Sequence, residues 1–525
     1  MLRAADLAPW GVLALAATAA GVWDTPLATT LGVAALSAIL AAAGGVAWAT
    51  CVAASGREAT LWRGLAWAGL LVPPYLSAVG LIEFCGPAGR IARAVGAASR
   101  PDLPTTQGWV YTWWSYALTL AGAWLPLVGL AVDAAWRRLP PRALAAARLA
   151  HGRRGLWELR LSVARAPALA GALAVGVLGL GEFAAAQLQR VPVVSEAVHT
   201  AAHAPWAALK VAAPLLGAAT LALLGGAWAT RRPLPGAGVQ PSAPPRSWRA
   251  RAAAGVGALA LVLYGVWLPL GFLVARLGSR PGSGSSFDAA RAALAEAWTF
   301  AQRDVAWTLG VGACTATWVT ALAVGVALGA RRRPRLQLAA LLPAVLCAAT
   351  PAPLIGVAVL WVGSLGEPLT WLRDSAAAVS LTWALRFAAW PLLGLILAVR
   401  RLPRSPLEAA ALTPRTPLVR WARTHAHVLL PALALAWGLT FALAVGEFEA
   451  TLLVSPPGQP YLAVTVVNEA HYGQGHILVG FVALQLAVLA APALLAGIGW
   501  LAWRGVRAAI SENGTPSPRV SDLRH

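Results

Sequence analysis

Charge is what this chain has least of. Only 12% of its 525 residues are Asp, Glu, Lys or Arg, about half of what soluble domains carry, and a mean hydropathy of +0.66 completes the case against a water-soluble enzyme of this length. Acidic residues number 20 against 41 basic ones. Lysine is nearly absent: Lys210 stands alone, so the basicity is arginine, and with so much Ala, Gly and Pro this reads as genome composition rather than arginine chemistry. The net charge of +21 is dealt out between apolar blocks and not gathered on one solvated face, which argues against a nucleic-acid partner. Cysteine is scarce as well. Cys51, Cys85, Cys314 and Cys347 are scattered with no C-x-x-C pair, so neither a disulfide framework nor a zinc site is expected.

What remains is apolar. Blocks of about 20 residues, the length needed to cross roughly 30 Å of hydrocarbon, fall near 7–23, 29–54, 62–84, 111–132, 163–186, 206–228, 253–275, 304–330, 336–362, 376–399, 431–454 and 476–500. The first block resembles a signal peptide but lacks a clear small-x-small cleavage site and is read as a retained span. Twelve spans with the N-terminus inside place 30 Arg on cytoplasmic segments and 9 outside, the bias expected when positive charge is held inside, so both termini are expected in the cytoplasm.

The chain also repeats itself. Thr30-Leu31-Gly32-Val33 recurs as Thr308-Leu309-Gly310-Val311, and Gly181-Glu182-Phe183 recurs as Gly446-Glu447-Phe448. Pro167 matches Pro431, and an amphipathic stretch ends in His203 in one half and His471 in the other, all in the same order at similar offsets. The fold class expected is therefore an all-α polytopic membrane protein of about twelve transmembrane helices, arranged as two parallel six-helix repeats that enclose a path between them. The divisions are a first repeat at 1–232, a Pro/Ser/Arg-rich linker at 233–251, a second repeat at 252–503 and a cytoplasmic tail at 504–525.

In each half the longest cytoplasmic loop lies between the fourth and fifth spans. One reads Leu144-Ala145-Ala146-Ala147-Arg148-Leu149 and then Arg153, Arg154, Trp157 and Arg160. The other reads Leu407-Glu408-Ala409-Ala410-Ala411-Leu412 and then Arg415, Arg420, Trp421 and Arg423. These loops resemble the Glu-Ala-Ala loop of binding-protein-dependent ABC importer permeases. With the two Gly-Glu-Phe motifs and the paired prolines (Pro73-Pro74-Tyr75; Pro351 and Pro353), the chain as a whole looks most like the fused, two-in-one permeases of the ferric-iron type, with thiamine, sulfate and molybdate permeases as relatives. The first loop has Ala145 where that family has its Glu and His151 where it has Gly; the second keeps Glu408 but has Pro414 in the Gly position.

The resemblance implies a transport subunit in the bacterial inner membrane, with no catalytic site, cofactor or metal of its own, and ferric iron as the favoured cargo. Its partners would be cytoplasmic ABC ATPase subunits, as a dimer under the two loops, an extracytoplasmic solute-binding protein and the lipid bilayer. No phosphate loop of the G-x-x-x-x-G-K-[ST] form is present in the chain itself. Residues assigned to ATPase coupling are Ala145, Ala146, Ala147, Arg153, Arg154, Glu408, Ala409, Ala410, Arg420 and Arg423; the arginines equally suit ordinary positive-inside anchoring.

Ionisable residues at membrane depth are costly and mark function. Arg386 is a pathway or interdomain group, or else a snorkelling or structurally paired one. Glu182, Glu447 and Glu449, placed near the outer ends of their spans, form either an acidic outward mouth that attracts a cation or fixes a gate, or carboxylates that hold helix register. Outside, Glu196, His199 and His203 share one helical face, a spacing that suits a metal or a docking helix. Two other classes compete: a secondary transporter, for which the Arg-rich loops would lack a purpose, and a lipid-linked transferase, for which the loop 86–110 offers only Asp102 with Arg90, Arg93 and Arg100.

Overall fold

The computed structural model describes residues 25–86, 89, 91, 108–229, 248–267, 270–271, 286–331, 333–400, 402, 427–472 and 477–494. Among these residues all regular structure is helical. The first block at 7–23 and the tail lie outside them, as does most of the linker, whose last residues from Trp248 open a helix.

The helices begin where local chemistry caps them. α1 (Pro26–Ser55) starts with proline at its first turn and with the Thr25 hydroxyl accepting from the Ala28 amide at 3.4 Å. α2 (Ala59–Leu70) and α3 (Pro74–Cys85) follow, and α4 (Trp113–Trp136) is capped by Thr112. α5 (Pro141–Gly181) leads to the short α6 (Ala184–Leu188) and α7 (Val194–Thr200), and then to α8 (Pro205–Ala229) and α9 (Trp248–Val262). Beyond them come α10 (Ser286–Gly329), α11 (Pro334–Ala349), α12 (Ala352–Gly363), α13 (Ala376–Phe387) and α14 (Ala389–Arg400). The last are α15 (His427–Val445), the single-turn α16 (Thr451–Val454), α17 (Leu462–Tyr472) and α18 (Ile477–Leu494).

Six of the described helices are long and apolar enough to cross a membrane, and nine spans result if each of three bent pairs counts as one. The bent pairs correct the expectation of continuous spans at 62–84 and 336–362, while the break expected at Pro391 in the span 376–399 is present. α2 and α3 meet at 94°, α11 and α12 at 110°, and α13 and α14 at 53°. Prolines explain the breaks, because Pro73, Pro74, Pro351 and Pro391 have no amide to donate and disfavour helix in the residue before them. Two other expected spans end early: α5 stops at Gly181 and α15 at Val445, each followed by a turn and a separate short helix.

α1 packs along α4 and α5, and α9 also lies on α1; α10 packs along α15 and α14. The largest core draws on both ends of the chain, with Tyr75, Tyr116 and Phe183 joining Phe441, Phe448 and Val467. The α2–α3 break lies in that core, while the α11–α12 and α13–α14 breaks belong to neighbouring clusters.

Candidate functional site

A helix that stops inside a protein leaves amides without partners. Both Gly-Glu-Phe motifs answer this with their own carboxylate. Glu182 Oε1 accepts from the Ala185 amide at 3.2 Å. Glu447 accepts from the Ala450 and Thr451 amides at 2.8 and 2.9 Å and from the Thr451 hydroxyl. These carboxylates do not ring an open outward mouth: Glu182, Glu447 and Glu449 are 8%, 5% and 4% exposed. Of the two readings of Glu182 and Glu447, holding the interrupted helices is the one the hydrogen bonds support.

Glu449 reaches further. Its Oε1 accepts from the amides of Phe183 and Ala184, more than 260 residues away in sequence, and its Oε2 takes a 3.1 Å hydrogen bond from Arg386 Nη2. Arg386 is thus structurally paired and does not snorkel; its guanidinium also sits 5.8 Å from the Phe387 ring centre. Tyr116 donates to the Glu182 carbonyl at 3.0 Å.

Contacts across this centre come in reciprocal pairs. A Cβ added to Gly181 would lie 3.6 Å from Pro351 Cα, and one added to Gly446 would lie 2.6 Å from Pro73 Cγ, so each glycine of a Gly-Glu-Phe motif faces a proline of a bent pair from the opposite end of the chain. The Phe183 and Phe448 rings stack with centroids 6.2 Å apart. Farther out, the Val194 amide donates to Thr30 Oγ1 at 3.0 Å and the Leu462 amide to Thr308 Oγ1 at 2.9 Å, which gives the threonine of both Thr-Leu-Gly-Val motifs the same task.

Beside these contacts lies a half-open cavity of about 100 Å³ whose lining includes the α2–α3 hinge, Tyr75, Trp124, Glu182, Arg386, Glu447 and Glu449. The four pathway or gate candidates therefore surround one space. Tyr75, visible in the sequence only as part of Pro-Pro-Tyr, belongs with them.

Of the coupling residues, Ala145, Ala146, Ala147, Arg153 and Arg154 lie in the described part of α5. Its first three turns are mostly exposed, with Leu149 88% exposed. The helix then breaks at His151 and Gly152, where Gly152 adopts φ 57°. Only glycine adopts this backbone freely. Arg154 pairs with Glu158 at 2.9 Å on the exposed face. Glu408, Ala409, Ala410, Arg420 and Arg423 lie outside the described residues.

The Glu196, His199 and His203 face does not assemble into a metal site. His199 stacks on Phe183 at 5.3 Å, His203 Nδ1 lies 3.2 Å from the Thr200 carbonyl, and among the described residues no three His, Cys, Asp or Glu side chains converge on a metal position. A further buried charge, absent from the sequence-based candidates, is Asp133. It is 1% exposed at the end of α4 and accepts from Arg63 at 2.8 and 3.0 Å and from Arg137 at 3.0 Å. Its signal in the sequence is a lone acid beside Arg137 and Arg138, closing an apolar span.

No protein-family description matches the chain, and a search among curated proteins finds no match.

Proposed function

We propose that this chain is the membrane permease of an ATP-driven importer, built as two parallel six-span halves that close on each other at the paired Gly-Glu-Phe breaks. The observation that carries this reading is the reciprocal glycine-to-proline contact between the two ends of the chain, Gly181 with Pro351 and Gly446 with Pro73. A scaffold has no need to meet its mirror element at helix breaks lined by buried charge, whereas a passage closed at mid-path does.

α5 supplies the mechanical link. From Arg153 to Gly181 it runs unbroken by any non-helical residue for 29 residues, about 44 Å at 1.5 Å per residue. Its cytoplasmic end carries the exposed turns 141–150 and its far end carries Glu182. The Trp136 indole donates to the Arg160 carbonyl at 2.8 Å, so α4 moves with it. An ATPase dimer that displaces the loops around Ala145 and Glu408 shifts the rod and separates the breaks. Hydrolysis takes place on those separate subunits; a solute-binding protein delivers cargo from outside, and both termini stay in the cytoplasm of the bacterial inner membrane. Ferric iron is the favoured cargo because the carboxylates around the cavity outnumber the arginine, and thiamine or another small organic cation is the alternative.

The test is co-purification with a cytoplasmic ATPase, together with Glu408→Lys. The substitution is expected to abolish ATP-driven uptake at an unchanged amount of protein in the membrane. Full uptake by the variant, or no ATPase bound to the native chain, overturns the reading.

A further inference from the structure

One connection between helices is made twice, far from the central cavity. Arg63 of α2 donates two parallel hydrogen bonds to Asp133 of α4, from Nε to Oδ2 at 2.8 Å and from Nη2 to Oδ1 at 3.0 Å. A paired fork of this kind fixes direction as well as distance, and Asp133 is 1% exposed. In the other half of the chain Arg400 of α14 donates from Nε to Gln337 of α11 at 3.0 Å, and Gln337 is 3% exposed. The arginine has changed sides between the two pairs and the acceptor has changed from acid to amide. Each pair nevertheless ties the helix that runs into a proline break to the helix that precedes a long Arg-rich loop. What recurs is the link, not the residues. Anchoring by positive charge accounts for arginines at these helix ends but requires no buried acceptor on the neighbouring helix.

Both ends of the first link lead somewhere. Arg63 precedes Pro73 by ten residues, and Pro73 is the residue that crowds Gly446 at the opposite Gly-Glu-Phe break. Three residues beyond Asp133, the Trp136 indole holds the Arg160 carbonyl of α5. A continuous set of contacts thus runs from α5 through Trp136, Asp133 and Arg63 to the α2–α3 hinge. We propose that Asp133 and Arg63 are positioning residues that make α2, α4 and α5 one lever, so that displacement of the exposed turns 141–150 reaches the hinge and, through Pro73, the Gly446 break. Arg400 and Gln337 form the weaker counterpart, because a neutral amide accepts less strongly than a carboxylate. The proposal rests on the permease reading for what displaces the loop, while the link itself belongs to the fold.

Two substitutions separate a link from a merely stabilising charge. Arg63→Gln and Arg137→Gln each strip one arginine from Asp133, but Arg137 lies at the end of the same helix, so its loss leaves α2 tied to α4. Full-length protein in nanodiscs is followed by hydrogen exchange with mass spectrometry. Exchange in segments 69–76 and 446–451 is expected to rise about tenfold in Arg63→Gln and less than about twofold in Arg137→Gln, because local opening follows the contacts that hold a segment. Arg63→Lys, which keeps a single charged donor, should fall between them. Equal acceleration in both glutamine variants, or none in Arg63→Gln, overturns the proposal. A second arm adds ATP and vanadate to the protein with its co-purified ATPase. The trapped state should alter exchange at 141–151 and 69–76 in the native chain, and at 141–151 alone in Arg63→Gln. A change that fails to reach 69–76 in the native chain, or still reaches it in Arg63→Gln, overturns the lever and leaves the permease reading standing. A chain that binds no ATPase removes the permease reading instead, and exchange without nucleotide then decides whether the link stands.

Discussion

Replacing Arg386 with methionine isolates the charge at the centre of the molecule, because methionine keeps most of the length and the contact with Phe387 while deleting the guanidinium. Arg386 and Glu449 stand 3.1 Å apart with side chains 15% and 5% exposed. At an effective dielectric of about 20 their attraction is of order 5 kcal/mol, and breaking a buried pair by removing one partner typically costs about 3–5 kcal/mol because the other charge is stranded. Glu449 has nowhere to take that charge: its other oxygen is already held by the Phe183 and Ala184 amides. Arg386→Met is therefore expected to destabilise by about 3–4 kcal/mol. Glu449→Gln keeps an acceptor for both amides and leaves a guanidinium with somewhat more access to water, so about 1–2 kcal/mol is expected. The double variant removes both charges and keeps the amide acceptor, so its cost should fall below that of Arg386→Met alone, giving a coupling energy of at least about 1–2 kcal/mol. Reversible unfolding by steric trapping in bicelles measures all four corners of this cycle. Additive costs, or an Arg386→Met loss under about 1 kcal/mol, would refute the claim that this pair closes the centre.

Three further outcomes are expected. Gly446→Ala pushes a methyl to 2.6 Å from Pro73 and should cost about 1–3 kcal/mol, whereas Gly181→Ala meets Pro351 at an ordinary 3.6 Å and should be nearly silent in the same unfolding assay; equal effects would contradict the close approach. Asp133→Asn weakens a carboxylate shared by Arg63 and Arg137 and should lower stability by about 1.5–3 kcal/mol, with no loss meaning that the cluster is merely solvated. A topology reporter fused after Arg251 should read cytoplasmic and one after Gly282 external, and the reverse pattern would overturn the orientation.

Much of the architecture is legible in the amino-acid sequence. Hydropathy marks the membrane helices because lipid demands about 20 apolar residues from any span, and repeated short motifs mark the right places: the threonines and the Gly-Glu-Phe triplets do matched work at both ends of the chain. Three things are not legible, each for a physical reason. A hydropathy window averages over a kink, so Pro73 and Pro351 sit inside apparently continuous spans that are in fact bent by 94° and 110°, whereas the break at Pro391 is readable from the proline itself. Depth is misjudged for Glu182, Glu447 and Glu449, because a residue at the end of an apolar run is buried when the chain turns back into the protein instead of leaving it. The pairing of Glu449 with Arg386 and with the Phe183 amide depends on helices more than 60 and 260 residues apart coming together, which no local pattern carries.

The location of the site follows from the helix breaks themselves. Non-helical backbone at membrane depth survives only where its amides and carbonyls are satisfied within the protein or by water in a cavity. Here the first remedy is a carboxylate beside each break: Glu447 uses both oxygens, on Ala450 and on Thr451, which a Gln with one acceptor oxygen cannot match, whereas Glu182 uses one, so amide satisfaction explains the charge at 447 but not at 182. Stability alone would favour the amide, since an ionised side chain carries a larger desolvation penalty than a neutral one. Charge at 182 therefore answers to something besides holding the helix. Arg386 neutralises one of the three acids and leaves the other two to face the cavity with Tyr75, which makes the centre weakest when nothing positive occupies it and firmest when something does. The Glu182→Gln variant separates the two demands, because it should leave the break at Ala185 intact while removing the cavity's preference for a cation.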